Sequence, residues 1–415
     1  MKFSDYNLHP ELQKGITKAG LKRPTDIQYK AIPHILKGED LLAVAQTGTG
    51  KTAAFAIPLL HLLHEHKNRT RRYSGVRCLV MVPTHELALQ VTEVFNTLGK
   101  HTSVKTLALI GGVEQAPQIE ALEKGMDVLV ATPGRFFDLI SQGHLRTDSI
   151  QMLVLDEADH MLDLGFIQDI SDLHRKIPAR RQTLFFSATI SKRIKKMAYI
   201  LIHQGAIRIQ ISPKDPVSRN VDHFVSFIDM DDKRFFLERL VKENPKSKIL
   251  VFVRTKIRAE RVAQAMDRVD IASLTIHSDK DQRQRNQVLN HFKKGDIYML
   301  VATDISARGI DIPDVEFVVN YDLPEQAENY VHRVGRTGRG TKRGQAISFC
   351  SPREKELLEE IEGYIGKPIE RMEIDQPDYE NTRLLSEDSG LSLKDMLQEI
   401  ERMEDRARKK KKKGK

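Results

Sequence analysis

Residues 45–52 read AQTGTGKT, at the end of an apolar run (LLAVA, 41–45) and ahead of AFAIPLLHLLHEH, which has helical spacing. Strand, glycine loop and helix in that order make a phosphate cradle. Gly48 and Gly50 let backbone N–H groups turn toward phosphate oxygens, and the helix N-terminus adds a positive dipole. Lys51 is placed to reach the β- and γ-phosphates, and the Thr52 hydroxyl to hold Mg2+. Ala45 stands where the simple pattern has Gly. A second run, MLVLD (152–156), delivers Asp156, then Glu157, Ala158 and Asp159. A carboxylate at a strand's C-terminal end lies on the sheet edge where open α/β folds bind ligands. Asp156 suits the metal, directly or through water. Glu157 suits a base that orients an attacking water.

Such side chains need a rigid sheet behind them, and the chain carries the pattern for two. Short runs rich in Val, Leu, Ile and Phe recur at 41–45, 78–82, 127–131, 152–156 and 183–187, and again at 249–253, 273–277, 298–302, 317–321 and 346–350. Runs of that length and content predict strands buried on both faces of a parallel sheet. Segments of helical spacing lie between them, so the fold class is α/β with helical crossovers. RIQISPKDPVSRN (208–220) separates the two halves, with Pro213 and Pro216 interrupting regular structure. After Pro368 the strand pattern ends, and 371–390 reads as polar and irregular. A helix capped by Ser392 then carries Leu393, Met396, Leu397, Ile400 and Met403 on one face.

The 415 residues carry a formal charge of +9, of which eight lie in the last ten residues. Residues 1–405 therefore hold only +1, and the tail is a polycation suited to an anionic partner. Two cysteines, both inside apolar runs, fit a reducing interior and no disulfide framework. The N-terminal segment has no signal-like apolar core, and no run approaches the 18 to 20 residues that span a bilayer. A cytoplasmic protein without a membrane role is expected.

In their order, AQTGTGKT, DEAD (156–159) and SAT (187–189) resemble the DEAD-box RNA helicases of superfamily 2. GLKRPTDIQ (20–28), with Phe3 seventeen residues before Gly20, is similar to the family's adenine-reading Q motif. PTHELALQ (83–90), Gly111–Gly112 and TPGR (132–135) resemble its RNA-contacting segments. VFVRT (251–255), QRQR (282–285), TDISARGID (303–311) and HRVGRTGR (332–339) complete the series, over roughly residues 1 to 370. The resemblance implies two tandem RecA-like domains, each a mainly parallel sheet flanked by helices, joined by a short linker, with ATP between them and RNA across both. The implied map is a Q-motif region at 1–31, an ATP-binding domain at 32–207, a linker at 208–220, a C-terminal helicase domain at 221–370, and an extension with amphipathic helix and basic tail at 371–415.

Residue roles follow from the same resemblance. ATP falls to Phe3 (stacking on adenine), Lys22, Thr25, Gln28 (bonding its edge), Ala45, Gln46, Thr47, Gly48, Thr49, Gly50, Lys51 and Thr52, with Asp311 on the ribose. Thr52 and Asp156 are the metal residues, and Glu157, Lys51, Arg336 and Arg339 the catalytic ones. Ser187 and Thr189 would link Asp159 to His332. RNA falls to Pro83, Thr84, Glu86, Gly111, Gly112, Thr132, Arg135, Arg254, Gln282, Arg285 and Thr303. The three arginines of HRVGRTGR, spaced by Gly and free of neighbouring acid, suit spread phosphate charge better than structure. His85 and Ser278 stand where most of the family has Arg and Gly.

These residues predict an ATP-dependent RNA helicase that unwinds short duplexes or remodels RNA–protein complexes, with ATP and Mg2+ as cofactors. An ATP-gated RNA clamp with little unwinding, or a DNA-acting superfamily 2 ATPase, would share many motifs. A monomer of the bacterial RhlE-like branch, with ribosome-assembly or RNA-decay partners and a tail that anchors RNA, completes the expectation.

Overall fold

The structure, a computed structural model, describes residues 2–45, 48–70, 75–203, 205–211, 220–307, 312, 314–338 and 343–386. The chain divides into two compact units, Met1–Lys214 and Asp215–Lys415. The first holds β1 (Leu41–Val44), β2 (Cys78–Met81), β3 (Thr106–Leu109), β4 (Val128–Ala131), β5 (Met152–Leu155), β6 (Gln182–Ser187) and β7 (Ile207–Gln210), in the order β3-β4-β2-β5-β6-β1-β7. The second holds β8 (Val221–Phe227), β9 (Ile249–Val253), β10 (Ser273–Ile276), β11 (Met299–Thr303), β12 (Phe317–Asn320), β13 (Gly344–Cys350) and β14 (Glu370–Arg371), in the order β10-β11-β9-β12-β13-β8-β14. Renumbered within its own unit, the second order is the same as the first. All described ladders are parallel.

Burial on both faces follows from the pleat. In β2, Cys78 and Val80 join one core layer while Leu79 and Met81 join the other. Helices cover each side. The helix Lys51–Arg69 buries Ala54, Phe55, Ile57, Leu59 and Leu60 against the sheet, with Phe55 5.3 Å from Phe186 of β6. Cys78 and Cys350 are both buried and free, and burial pushes the Cys350 thiol up to about 11.

All ten apolar runs become strands. The four strands that the run pattern did not predict are β3, β7, β8 and β14. Three of them lie at sheet edges, and β8 shows an alternating burial along most of its length. Such strands lack a continuous apolar signal because one side of each stays wet. Two expectations need correction. Strand β7 runs into the segment 208–220, so regular structure continues there as far as Gln210; residues 212–219 lie outside the described ones. The stretch 371–390 is not irregular throughout. β14 pairs with β8, and a helix spans Gln376–Leu384, capped by the Asp375 side chain accepting from Asp378 N at 2.8 Å. Polar contacts dock that helix: Arg239 grips Asp378 at 2.8 Å, and Tyr379 donates to Asp232 at 2.9 Å. Its apolar contact comes from single residues, Tyr379 against Phe236 and buried Leu384, too few to read as a stripe. The helix proposed around Ser392 and the basic tail lie outside the described residues.

Candidate functional site

At the end of β1, Ala45 is 1% exposed and donates its N–H to Ser187 O of β6 at 3.0 Å. It has no positive φ, so Ala fits where the simple motif has Gly. Gly48 (φ 82°) and Gly50 (φ 90°) do need the left-handed region, and Gly50 caps the helix that begins at Lys51. A Cβ on Gly50 would meet Gln28 Nε2 at 2.5 Å. The reason is a clasp from the segment 25–28. Thr25 Oγ1 donates to Thr49 O at 2.8 Å, Gln28 Nε2 donates to Gly50 O at 3.1 Å, and Gln28 Oε1 accepts from Thr25 N at 3.0 Å. Gln28 thus braces the loop backbone. Lys22 is exposed, and Phe3 is buried at 4% against Tyr6, its ring covered by protein rather than presented for stacking. Gln46 and Thr47 lie outside the described residues.

Lys51 is the least ordinary residue of the loop. It is 6% exposed, and its ammonium has no hydrogen-bond partner. Leaving a buried charged donor unpaired is expensive. Nearby, Asp156 is 2% exposed, and burial pushes its carboxyl up to about 6 against the opposing pull of Lys51. Its Oδ1 accepts from Glu157 N at 3.0 Å. Glu157 sits at φ 51°, strained for a side chain of its size, with Oε2 3.5 Å from buried His160 Nδ1. Asp159 Oδ2 accepts from both Ala188 N and Thr189 N at 3.1 Å, joining the acidic turn to the end of β6. Ser187 is fully buried with its hydroxyl unpartnered. Thr52 is half-buried on the first helical turn.

On the same unit, a groove of about 410 Å³ brings together Pro83, Gly111, Gly112, Thr132 and Arg135, with His85 and Phe166 on its wall. The separate segments named for RNA converge there. Gly111 leaves room for His85, whose Nε2 would stand 3.6 Å from an added Cβ. Arg135 donates to Val113 O at 2.9 Å, while its Nη1 is buried and unpartnered. Thr84 is occupied otherwise: its hydroxyl accepts from Leu87 N at 3.3 Å, capping the helix His85–Leu98. Glu86 is buried. Phe166 and Asp138 are groove residues that sequence reasoning missed; the Gly165 turn (φ 84°) was the available signal for Phe166.

In the second unit the motif residues are knit into structure. Lys233, fully buried, bonds Glu354 at 2.6 Å and Tyr321 O at 2.7 Å. Arg254, named for RNA, spends its guanidinium on Glu354 (3.1 Å) and Leu323 O (3.2 Å). Arg258 pairs with Asp322 at 2.9 Å. Gln282 is buried and bonds Asn286, Arg285 reaches Ser306 O at 3.4 Å, and Thr303 bonds Ser306 at 3.4 Å. The reading of the three arginines as poor structural material fails for Arg333. It is 1% exposed, gripped by Asp304 at 2.6 and 2.8 Å, and bonds Asn320 and Asp322 O. The acid that pairs it lies 29 residues away, so no local spacing shows it. Arg336 is buried with Nε on His332 O at 3.3 Å. Arg339 and Asp311 lie outside the described residues. Lys233 and Glu354 were also missed.

Comparison with known proteins fits this layout. Residues 25–197 match the DEAD/DEAH box helicase family, and residues 232–341 match the helicase conserved C-terminal domain. The chain is 40% identical over 372 residues to the ATP-dependent RNA helicase CshA of Listeria monocytogenes, covering 90% of this chain and 70% of that protein. It is 41% identical to the DEAD-box ATP-dependent RNA helicase CshA of Geobacillus kaustophilus, covering 89% and 78%. These relatives bear the CshA name, which lends no support to the RhlE-like branch. Among solved structures, S. cerevisiae Dbp5 bound to RNA and ADP BeF3 aligns with a TM-score of 0.80 at 30% identity, covering 89% of this chain and 95% of that one. Mss116 bound to single-stranded RNA and UDP-BeF aligns at 0.81 and 26%, covering 92% and 81%. With both halves matched and both sheets RecA-like, the chain belongs to the DEAD-box family of ATP-dependent RNA helicases.

Proposed function

We propose that this helicase binds ATP on the glycine loop of the first unit and couples its hydrolysis to binding, local unwinding and release of RNA. The buried ammonium of Lys51, without a hydrogen-bond partner, near the buried carboxyl of Asp156 carries the reading, because a phosphate–metal pair would give the ammonium its acceptors and the carboxylate its cation. Backbone N–H groups from Gly48 to Lys51 and the Lys51 ammonium hold the phosphates. Gln28 and Thr25 keep the loop in shape while bordering the base. Mg2+ fits Asp156 and Thr52, since a dication favours the ionised carboxylate that burial disfavours. Bound there, it would neutralise phosphate charge as the terminal bond breaks. Glu157 orients the attacking water, its strained backbone fixing the carboxylate's direction. Asp159, through the backbone after Ser187, transmits the state of the acidic turn to β6.

RNA lies in the groove of Pro83, Gly111, Gly112, Thr132 and Arg135, whose backbone groups and single guanidinium suit phosphates and 2′-hydroxyls without base readout. Thr303, Gln282 and Arg285 extend that contact on the second unit. Arg254, held by Glu354, lines the same proposed RNA contact. Arg336 and Arg339 stabilise the transition-state charge of the transferring phosphate. No helix among the described residues is long and apolar enough to cross a membrane. A cytoplasmic monomer serving ribosome assembly or RNA decay is the cellular setting we propose. The test is ATP turnover by the full chain with single-stranded RNA or DNA of one sequence, alongside strand displacement of a short RNA duplex. Stimulation by RNA and ATP-dependent displacement are expected; equal stimulation by DNA, or no displacement, contradicts the proposal.

A further inference from the structure

Far along the helix that starts at Lys51, imidazoles crowd the seam with the N-terminal helix Pro10–Lys18. His9 caps that helix, its Nδ1 accepting from Glu11 N at 3.3 Å. Its own N–H donates to His61 Nδ1 at 3.2 Å. The His9 and His64 rings meet edge to face, centroids 4.3 Å apart, and His64 Nε2 lies 2.9 Å from Glu11 Oε2. One ligand atom from each of His9, Glu11 and His64 lies within 4.8 Å of the others. Tetrahedral bonds of 2.0–2.1 Å separate ligand atoms by roughly 3.3 Å, so a closing movement of at most about 1.5 Å suffices.

We propose that His9, Glu11 and His64 bind a divalent transition-metal ion of the zinc class, with water in the fourth position. Two imidazoles and a carboxylate are a nitrogen-rich set that suits zinc and its neighbours, whereas Mg2+ and Ca2+ take oxygen ligands. Here His64 Nδ1 accepts from Ser103 N at 3.2 Å, so the ring's proton sits on Nε2 toward Glu11. An ion taking Nε2 would displace that proton and turn Nδ1–H toward Ser103 Oγ, 3.0 Å away. A cavity of about 510 Å³ lies beside the cluster and reaches it at His9. A core histidine satisfied by Glu11 and by Asn68 (3.1 Å) explains His64 alone. The helix cap likewise accounts for His9 alone; what carries the proposal is that both rings and Glu11 bring ligand atoms within 4.8 Å of one another. The ion would join the N-terminal helix to the helix whose first residue is Lys51. This inference stands apart from the proposed catalytic roles.

The test uses untagged full chain, stripped with chelator and dialysed to equilibrium against Zn2+ without nucleotide. One equivalent is expected at low micromolar zinc. His9→Gln and Glu11→Gln, both at partly exposed residues, should each weaken uptake by about 10-fold or more, and zinc should raise the melting temperature of the parent alone. Their metal-free melting temperatures control for folding. Co2+ added to the parent should give the visible bands of tetrahedral coordination. Parent-like zinc affinity in both variants, or a Co2+ spectrum of the hydrated ion only, overturns the site whatever the variants' stability.

Discussion

Asp156 and Asp322 follow corresponding strands, β5 and β12, of two sheets with one topology, and their surroundings differ sharply. Among the described residues Asp156 has no guanidinium partner; Lys51, the cation near it, holds no hydrogen bond, and burial pushes the Asp156 carboxyl up to about 6. Asp322 pairs with Arg258 and accepts from Arg254 N at 3.0 Å, inside a mesh that includes Lys233, Glu354, Asp304 and Arg333. On the first edge the Lys51 ammonium and the Ser187 hydroxyl hold no hydrogen bond, whereas on the second the buried charges face one another. The difference separates the proposed nucleotide site, with a buried charge left without a hydrogen bond, from a frame that fixes backbone and side chains in advance.

The largest expected effect contrasts two arginines three residues apart. Arg336→Ala should lower kcat for ATP about 10³-fold while stability stays near that of the parent. Arg333→Ala should unfold the second unit at lower denaturant, because it strands Asp304 and Asn320. Turnover and urea midpoints measured on both variants check this; interchanged outcomes would erase the distinction. Next, Glu354→Gln removes the charge that Lys233 and Arg254 share. Breaking a buried pair costs about 3–5 kcal/mol, read from urea unfolding monitored in the second unit. A loss below about 1 kcal/mol would mean the mesh is not structural.

Asp156→Asn should act in the opposite sense on nucleotide-free protein. The folded pKa is raised above the unfolded one, so Asp156 favours folding only when protonated, and that preference is lost as pH rises through about 6. The Asn variant should therefore be more stable than the parent at pH 7.5 by up to about 3 kcal/mol, the advantage fading as pH falls toward 4. Melting temperatures across that range decide it. A destabilised variant at pH 7.5 would place Asp156 in the frame instead.

Much of this contrast was legible in the residues. AQTGTGKT and DEAD located the ligand edge because such chemistry is local: glycines, a lysine and carboxylates within one strand-turn each. The satisfied edge was not legible, since Arg333–Asp304 and Lys233–Glu354 span 29 and 121 residues. The edge strands and the docked helix Gln376–Leu384 escaped for a related reason: polar, half-wet elements carry no continuous apolar run. The role of Gln28 as a brace on Gly50 was likewise invisible until the loop was folded.

Thermal unfolding of Lys51→Met, with and without Mg2+ and a non-hydrolysable ATP analogue, tests the central claim that the first unit's unmet charge is a nucleotide site. Without nucleotide the variant should melt at or above the parent temperature, because a buried unpartnered ammonium has been removed. With nucleotide the parent should gain several degrees and the variant little or nothing. A variant that melts well below the parent without nucleotide, or gains as much as the parent with it, would contradict the account.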